Sequence, residues 1–356
     1  MEYFQDLLRA TTELSSGSSL LVLVTVVIVT VVSVCLYAIN RTTASGSRGG
    51  VSGTGRIGKV SRILVYPLKS CRSVQLEEGM CLKQGFEYDR RWVVVNMESS
   101  MKPEGVAGVA VTMANCPKLA QIQPQIGHSS PRTPGKDKEV TLTLCAEGMP
   151  DITMSTSQML QGRTDAVYSP RVSCQAYDCG DNASQWLYSF LERPSLRLYY
   201  MATGQAGRVM SRDAKWGSLA KAGDVASFAS FTPYLVCTEQ SLKDISSRME
   251  CNLEIERFRP NIVVDCPGME PYAEDSWQRF SLGSVEFRFV KACGRCPIIM
   301  QDPSTGKSNA RGLLPKLREF RLNHTDERHG NAPIFGLQVA ADTEGMISVN
   351  DVLTVL

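Results

Sequence analysis

The sequence predicts a mainly β protein with a few peripheral helices (α+β), built as two barrel-like units and preceded by one membrane-spanning helix. Three observations predict it. Short apolar runs alternate with polar residues at period two, only two segments carry helical spacing, and one long stretch near the start holds no charge.

That stretch, Leu20 to Ile39, reads LLVLVTVVIVTVVSVCLYAI. At about 1.5 Å per residue it spans the ~30 Å hydrocarbon core of a bilayer. A cleaved signal peptide begins basic and has a shorter apolar run, whereas this leader sets Glu2, Asp6 and Glu13 against Arg9. Arg41, Arg48, Arg56 and Lys59 follow the span, so the bulk of the chain is expected on the cytosolic side. The expected layout is a tail at 1–19, a signal anchor at 20–39 and a flexible Gly/Ser/Thr-rich linker at 40–56. Two barrel domains then follow, at 57–180 and 181–356.

Strands are expected where apolar residues alternate or cluster briefly. Val60, Ile63 and Val65 begin one that ends at Pro67, and Trp92 to Val95 form a buried-type run. Val140, Leu142 and Leu144 alternate with threonines, as Val285, Phe287 and Phe289 do with Glu286 and Arg288. Leu196–Tyr199 and Ile262–Val264 are further candidates. One helix is expected from Ala183, Trp186, Leu187, Phe190 and Leu191, with Asp181 or Asn182 as N-cap and Pro194 beyond its end. A second starts near Thr238, with Leu242, Ile245 and Met249 on one face. Ile298–Gln301 reads as strand, Gly127–Lys138 as a polar surface loop, and Met101–Ala114 fits no element.

Composition excludes several classes. A hydrophobic content of 43% and a charged content of 21% fit a globular protein with a substantial core. The net charge of +2, with no basic stripe, gives no sign of nucleic-acid binding. The 12 cysteines are scattered rather than framed, which suits a reducing compartment. The N-x-S/T matches at Asn40, Asn182 and Asn323 are then chance.

Chemistry concentrates in Val290-Lys291-Ala292-Cys293-Gly294-Arg295-Cys296-Pro297. Two thiols flank a guanidinium, and a neighbouring cation favours the thiolate that holds soft metals. Three readings compete. A structural zinc half-site needs two more ligands, and His324 and His329 lie far along the chain. A dithiol redox pair needs a helix N-terminus in a βαβ unit, which the flanking sequence does not offer. The third is a metal held by one thiolate. Gly306-Lys307-Ser308 does not close a phosphate loop, because Gln301 stands where that motif needs glycine.

Six blocks recur in order through the chain: VYPLKSC (Val65–Cys71), YDRRW (Tyr88–Trp92), FRPNIVV (Phe258–Val264), YAEDSW (Tyr272–Trp277), CGRC with Asp302-Pro303, and PIFG (Pro333–Gly336). On these the sequence resembles the MOSC-domain molybdenum enzymes of the mitochondrial amidoxime-reducing kind, over residues 57–355.

That resemblance implies an N-terminal MOSC-type β-barrel followed by a MOSC β-barrel with a molybdenum site. It implies Cys296 as the molybdenum ligand, with Cys293 a packing residue. It further implies a molybdenum–molybdopterin cofactor contacted by Lys69, Ser70, Arg90 and Arg259, and by Thr232, Gly294, Arg295 and Gln338. A phosphate-bearing cofactor needs such cations; the alternative for each arginine is a solvated surface charge. Asp302 either orients the site and relays protons or simply caps its turn. The implied reaction is reduction of small N-hydroxylated substrates (amidoximes, hydroxylamines, N-oxides). Electrons would come from NADH through cytochrome b5 reductase and cytochrome b5, at the outer mitochondrial membrane. Ile299 and Met300 stand where the family carries threonines. A cofactor carrier or sulfur-transfer module, a thiol oxidoreductase using Cys293 and Cys296, and an inactive membrane scaffold are the alternatives.

Overall fold

Strand Arg56–Val65 opens the folded chain and immediately meets its end. It pairs antiparallel with Val352–Val355 on one side and with Ile262–Asp265 on the other. The sheet runs Ile262–Asp265, Tyr234–Thr238, Ile334–Ala341, Val285–Gly294, Arg279–Leu282, Val352–Val355, Arg56–Val65, and its first and last members pair, closing a barrel; Val74–Leu76 adds an outer strand. Inward positions fill it with Ile63, Val264, Val236, Leu337, Phe287, Phe280 and Leu353. Phe280 stacks on Phe287, and Tyr234 meets Phe287 edge-on.

The computed structural model describes residues 55–128, 140–169, 171–202, 205 and 207–356. The expected span Leu20–Ile39 lies outside the described residues, as does most of the expected loop after His128. Among the described residues no helix is long and apolar enough to cross a membrane.

A second, smaller barrel closes from Thr164–Ser169, Val172–Asp178, Leu196–Tyr200, Trp92–Asn96 and Gly108–Ala110. The last of these sits in the segment the sequence could not place. Gly108 is required there, because a Cβ would lie 2.5 Å from the Asn96 carbonyl oxygen. A three-stranded sheet, Gln123–His128, Val140–Cys145 and Ile152–Ser155, adds the buried residues Leu142, Leu144 and Met154 to this half's core. The division expected at 180/181 is crossed twice: Arg56–Val65 is a stave of the larger barrel, and Leu196–Tyr200 of the smaller.

Helix Asp181–Leu191 buries Ala183, Trp186, Leu187, Phe190 and Leu191 against the smaller barrel, the face its spacing predicts. Its N-cap is Gly180, just before the expected Asp181 or Asn182, and no side chain caps it. Helix Glu239–Arg248 begins at Thr238, whose hydroxyl accepts the Ser241 amide at 3.1 Å. Helix Leu313–Phe320, unforeseen, buries Leu313, Leu314 and Leu317.

Two expectations are corrected. Pro297–Met300 is a 3-10 turn, not the start of a strand. Pro297 sits at its first position, where a fixed φ and a missing N–H suit a helical start. In Val285–Gly294 the alternation fails after Phe287: Arg288 is buried and Phe289 only half-buried. The outer face of this strand is covered by Met210, Trp216 and Ala226, which pack on Val290. Arg288 therefore finds Asp224 and, at 2.8 Å, Asp342 within that cover.

Candidate functional site

The block Tyr88–Trp92 turns sharply between the barrels because Asp89 stitches it down. Its wholly buried carboxylate accepts the Tyr66 amide at 2.8 Å through Oδ1 and Arg90 Nη1 at 2.6 Å through Oδ2. The Arg90 amide donates to the Tyr66 carbonyl at 2.8 Å, and Phe228 N donates to the Arg90 carbonyl at 3.0 Å. Asn261, from the FRPN block, accepts Arg90 Nη1 at 2.8 Å and donates through Nδ2 to the Leu64 carbonyl at 3.2 Å. Arg90 is thereby fixed from three elements.

These segments wall a cavity of about 350 Å³. It brings together Lys69, Ser70, Arg90, Thr232, Arg259, Gly294, Arg295, Cys296 and Gln338, every expected site residue except Asp302. Ser70, Arg90 and Arg259 adopt left-handed backbone, with φ of 71°, 48° and 56°. Non-glycine residues in that region cost of order 1–3 kcal/mol each, and such strain gathers at ligand clamps and active sites.

The wall is strongly cationic and, among the described residues, carries no carboxylate. Besides Lys69, Arg90, Arg259 and Arg295 it includes Arg171 and Arg257. Carboxylates behind the wall pair three of these: Asp89 with Arg90, Asp213 with Arg171 and Glu254 with Arg257. Lys69, Arg259 and Arg295 have no carboxylate partner within ion-pair distance among the described residues. Lys69 Nζ donates to the Phe228 carbonyl at 2.5 Å. Burial first, then the cations of Arg208, Arg90 and Arg259, bring its pKa down to about 7. Arg259 donates to the Cys71 carbonyl at 3.0 Å, and burial lowers its pKa to about 10. Beneath the wall, fully buried Arg208 holds the segment Ala229–Phe231 through both of those residues' carbonyls, at 2.8 and 3.0 Å.

The two thiols part company. Cys293 is buried and accepts Arg295 Nη1 at 2.9 Å and Gln338 Nε2 at 3.5 Å. Cys296 is exposed, lines the cavity and caps the 3-10 turn that follows. Arg295 is pinned by its other nitrogen to the Phe258 carbonyl at 2.6 Å. Three buried polar atoms of the wall lack a partner: Arg259 Nη2, Arg295 Nε and Gln338 Oε1. The first two are donors and the third an acceptor; buried polar atoms left unsatisfied cost about 1–3 kcal/mol each, so they mark where a ligand contributes.

Asp302 lies outside this wall, touching it only through Arg257, whose Nη2 is 3.9 Å from Oδ2, and its hydrogen bonds are spent on its own turn. Its Oδ1 accepts the Ser304 and Thr305 amides, each at 2.9 Å, and the Ser304 hydroxyl at 2.7 Å. Its Oδ2 accepts Asn309 Nδ2 at 3.0 Å. Partial burial opposes ionisation, but these bonds outweigh it and hold the carboxyl well below the usual carboxylate range. It caps its turn as a hydrogen-bond acceptor.

Among the described residues no group of three or more His, Cys, Asp or Glu could hold a metal ion, which leaves the zinc half-site without its partners. His329 instead packs on Trp216, with ring centroids 5.0 Å apart. The sequence reading missed Asn261, Arg171, Arg257, Met113 and Arg208. Only Asn261 carried a signal, since it stands inside the FRPN block beside Arg259.

Two barrels, the larger closed by the first strand pairing with Ile262–Asp265 and Val352–Val355, with a cation-walled cavity between, define the class, and family models agree. Residues 57–194 match the MOSC N-terminal beta barrel domain, and residues 223–354 match the MOSC domain. The chain is 33% identical over 307 residues to mitochondrial amidoxime-reducing component 1 of Mus musculus, covering 83% of this chain and 82% of that protein. It is 32% identical over 305 residues to component 1 of Homo sapiens, covering 83% and 82%. Against component 2 of Homo sapiens it is 29% identical over 302 residues, covering 83% of each. This chain belongs to the family of the mitochondrial amidoxime-reducing components.

Proposed function

We propose that this protein is a molybdenum-cofactor-dependent reductase of small N-hydroxylated compounds, acting at mitochondria. The single observation that carries the reading is the cavity itself. Among the described residues it offers one accessible thiol within a wall of cations, some with unpaired donors, and no carboxylate. That donor set fits a phosphate-bearing, sulfur-liganded metal cofactor. The names of the relatives supply amidoximes as the substrate, and we extend it to related N-oxygenated molecules.

When bound, the cofactor would supply two-electron redox chemistry able to take an oxygen atom from nitrogen. The chain's own residues have separate tasks. Cys296 holds the metal, while Lys69, Ser70, Arg90 and Arg259 bind the anionic portion. Arg295 and Gln338 keep Cys293 hydrogen-bonded and out of the ligand set. Met113, Leu235, Phe258 and Ile298 supply the apolar wall that excludes water from the reacting end. Electrons would arrive from NADH through cytochrome b5 reductase and cytochrome b5, with Leu20–Ile39 anchoring the chain in the outer mitochondrial membrane.

The test is elemental analysis of the full chain produced with ample cofactor, zinc serving as control, alongside benzamidoxime reduction with the NADH-linked electron donors. Stoichiometric molybdenum and turnover are expected, and Cys296→Ala should lose both. Metal-free wild-type protein overturns the proposal, and metal without turnover points to a cofactor carrier.

A further inference from the structure

Tyr66 is not part of the cavity wall, yet both of the arginines that grip from that side rest on it. The guanidinium carbon of Arg90 lies 4.4 Å from the ring centroid, and that of Arg259 lies 4.2 Å from it. Two like charges over one small ring repel, and carboxylates cannot settle both: Asp89 pairs with Arg90, and Arg259 has no such partner among the described residues. The electron-rich face of an aromatic ring attracts a cation without neutralising it, which a carboxylate would do. Arg259 therefore keeps its charge for a ligand, while Arg90, whose charge Asp89 balances, is held in place by the same ring.

The hydroxyl is not what this position needs. Tyr66 Oη is buried without a hydrogen-bond partner, so the polar end costs stability rather than adding it. The backbone ties the ring to the same loop it serves: Tyr66 N donates to Asp89, and the Tyr66 carbonyl accepts the Arg90 amide. Left-handed backbone at Arg90 and Arg259 is the conformation in which both side chains reach the ring.

We infer that Tyr66 is a positioning residue whose aromatic ring holds the guanidiniums of both Arg90 and Arg259 as a clamp for an anionic, phosphate-like group. This rests on the cavity being an anion site, as proposed above, and adds the device that sets its geometry.

The experiment is calorimetric titration of inorganic pyrophosphate into the full-length, cofactor-free chain in mild detergent. It compares wild type, Tyr66→Phe, Tyr66→Leu and a version carrying pentafluorophenylalanine at position 66. The fluorinated ring keeps the shape and inverts the charge of the face, so a purely packing role would leave it unaffected. Tyr66→Phe should bind within about twofold of wild type, while the leucine and fluorinated versions should bind about tenfold more weakly. Fluorinated protein that binds like wild type overturns the inference, even if Tyr66→Leu fails to fold. So does a phenylalanine variant as weak as the leucine one. Wild-type protein that ignores pyrophosphate overturns the anion-site reading and this clamp together.

Discussion

Lys69 offers a prediction whose sign runs against the usual behaviour of a stabilising cation. Its ordinary pKa is 10.5 and burial brings it to about 7 in the folded chain. Between those values the unfolded chain holds a proton that the folded chain has released, so stability rises with pH through this window. The contribution is lowest below about pH 7, where the folded protein must carry a buried charge. For one group with these two pKa values, linkage gives about 2 kcal/mol of added stability between about pH 6.5 and about pH 8.5. For a unit of this size that is roughly 4 °C in melting temperature. The assay is thermal unfolding of cofactor-free wild type and Lys69→Met across that range. Methionine keeps the apolar stem and removes the titrating group, and shared effects of other groups cancel in the difference. The wild-type-minus-variant gap should move in favour of wild type as pH rises. Parallel curves would refute the buried, carboxylate-free placement of Lys69 on which the cavity's electrostatics rest.

Three further outcomes follow from the site and its supports. Cys296→Ala should lose molybdenum while melting within about 1 °C of wild type, whereas Cys293→Ala should keep the metal and lose about 1–3 kcal/mol in chemical denaturation, because Arg295 and Gln338 lose their shared acceptor. Asp302→Asn should cost about 1–3 kcal/mol, most of it disappearing at acid pH, where the wild-type carboxyl, held low by its turn, is protonated as well. Its turnover should stay within about twofold, where loss of a general acid or base costs about a hundredfold or more, so a steady-state comparison decides. Gly306→Ala places a Cβ 2.1 Å from the Pro117 carbonyl oxygen at φ +72°, and should destabilise by about 1–3 kcal/mol in the same denaturation assay.

Much of the architecture was legible because it is carried by short-range periodicity. Val140, Leu142 and Leu144 alternate in sequence and are buried in fact, and the helical face of Ala183 to Leu191 is the one that packs. What periodicity cannot report is which outer surface another segment covers. Arg288 and Phe289 exchanged their expected roles for that reason. The small strand Gly108–Ala110 was invisible because only a close backbone approach, not a pattern, calls for its glycine. At the site, ordered blocks located the residues that the cavity brings together, but spacing could not separate Cys293 from Cys296. Burial and two hydrogen-bond donors do. Arg208 and Arg257 were missed because an arginine in sequence looks solvated until its depth is known.

The pairing of the first strand with the last imposes an order of assembly. Residues 92–200 contain every stave of the smaller barrel, so that half has its full complement of partners while the chain is still emerging from the ribosome. The larger barrel begins with Arg56–Val65 and needs Val352–Val355 beside it, almost 300 positions later. The start of that early segment must therefore wait, without its partner, until residues 352–355 have emerged. Frameshifts or nonsense changes ahead of those residues would then leave an open-edged sheet rather than a slightly shortened protein.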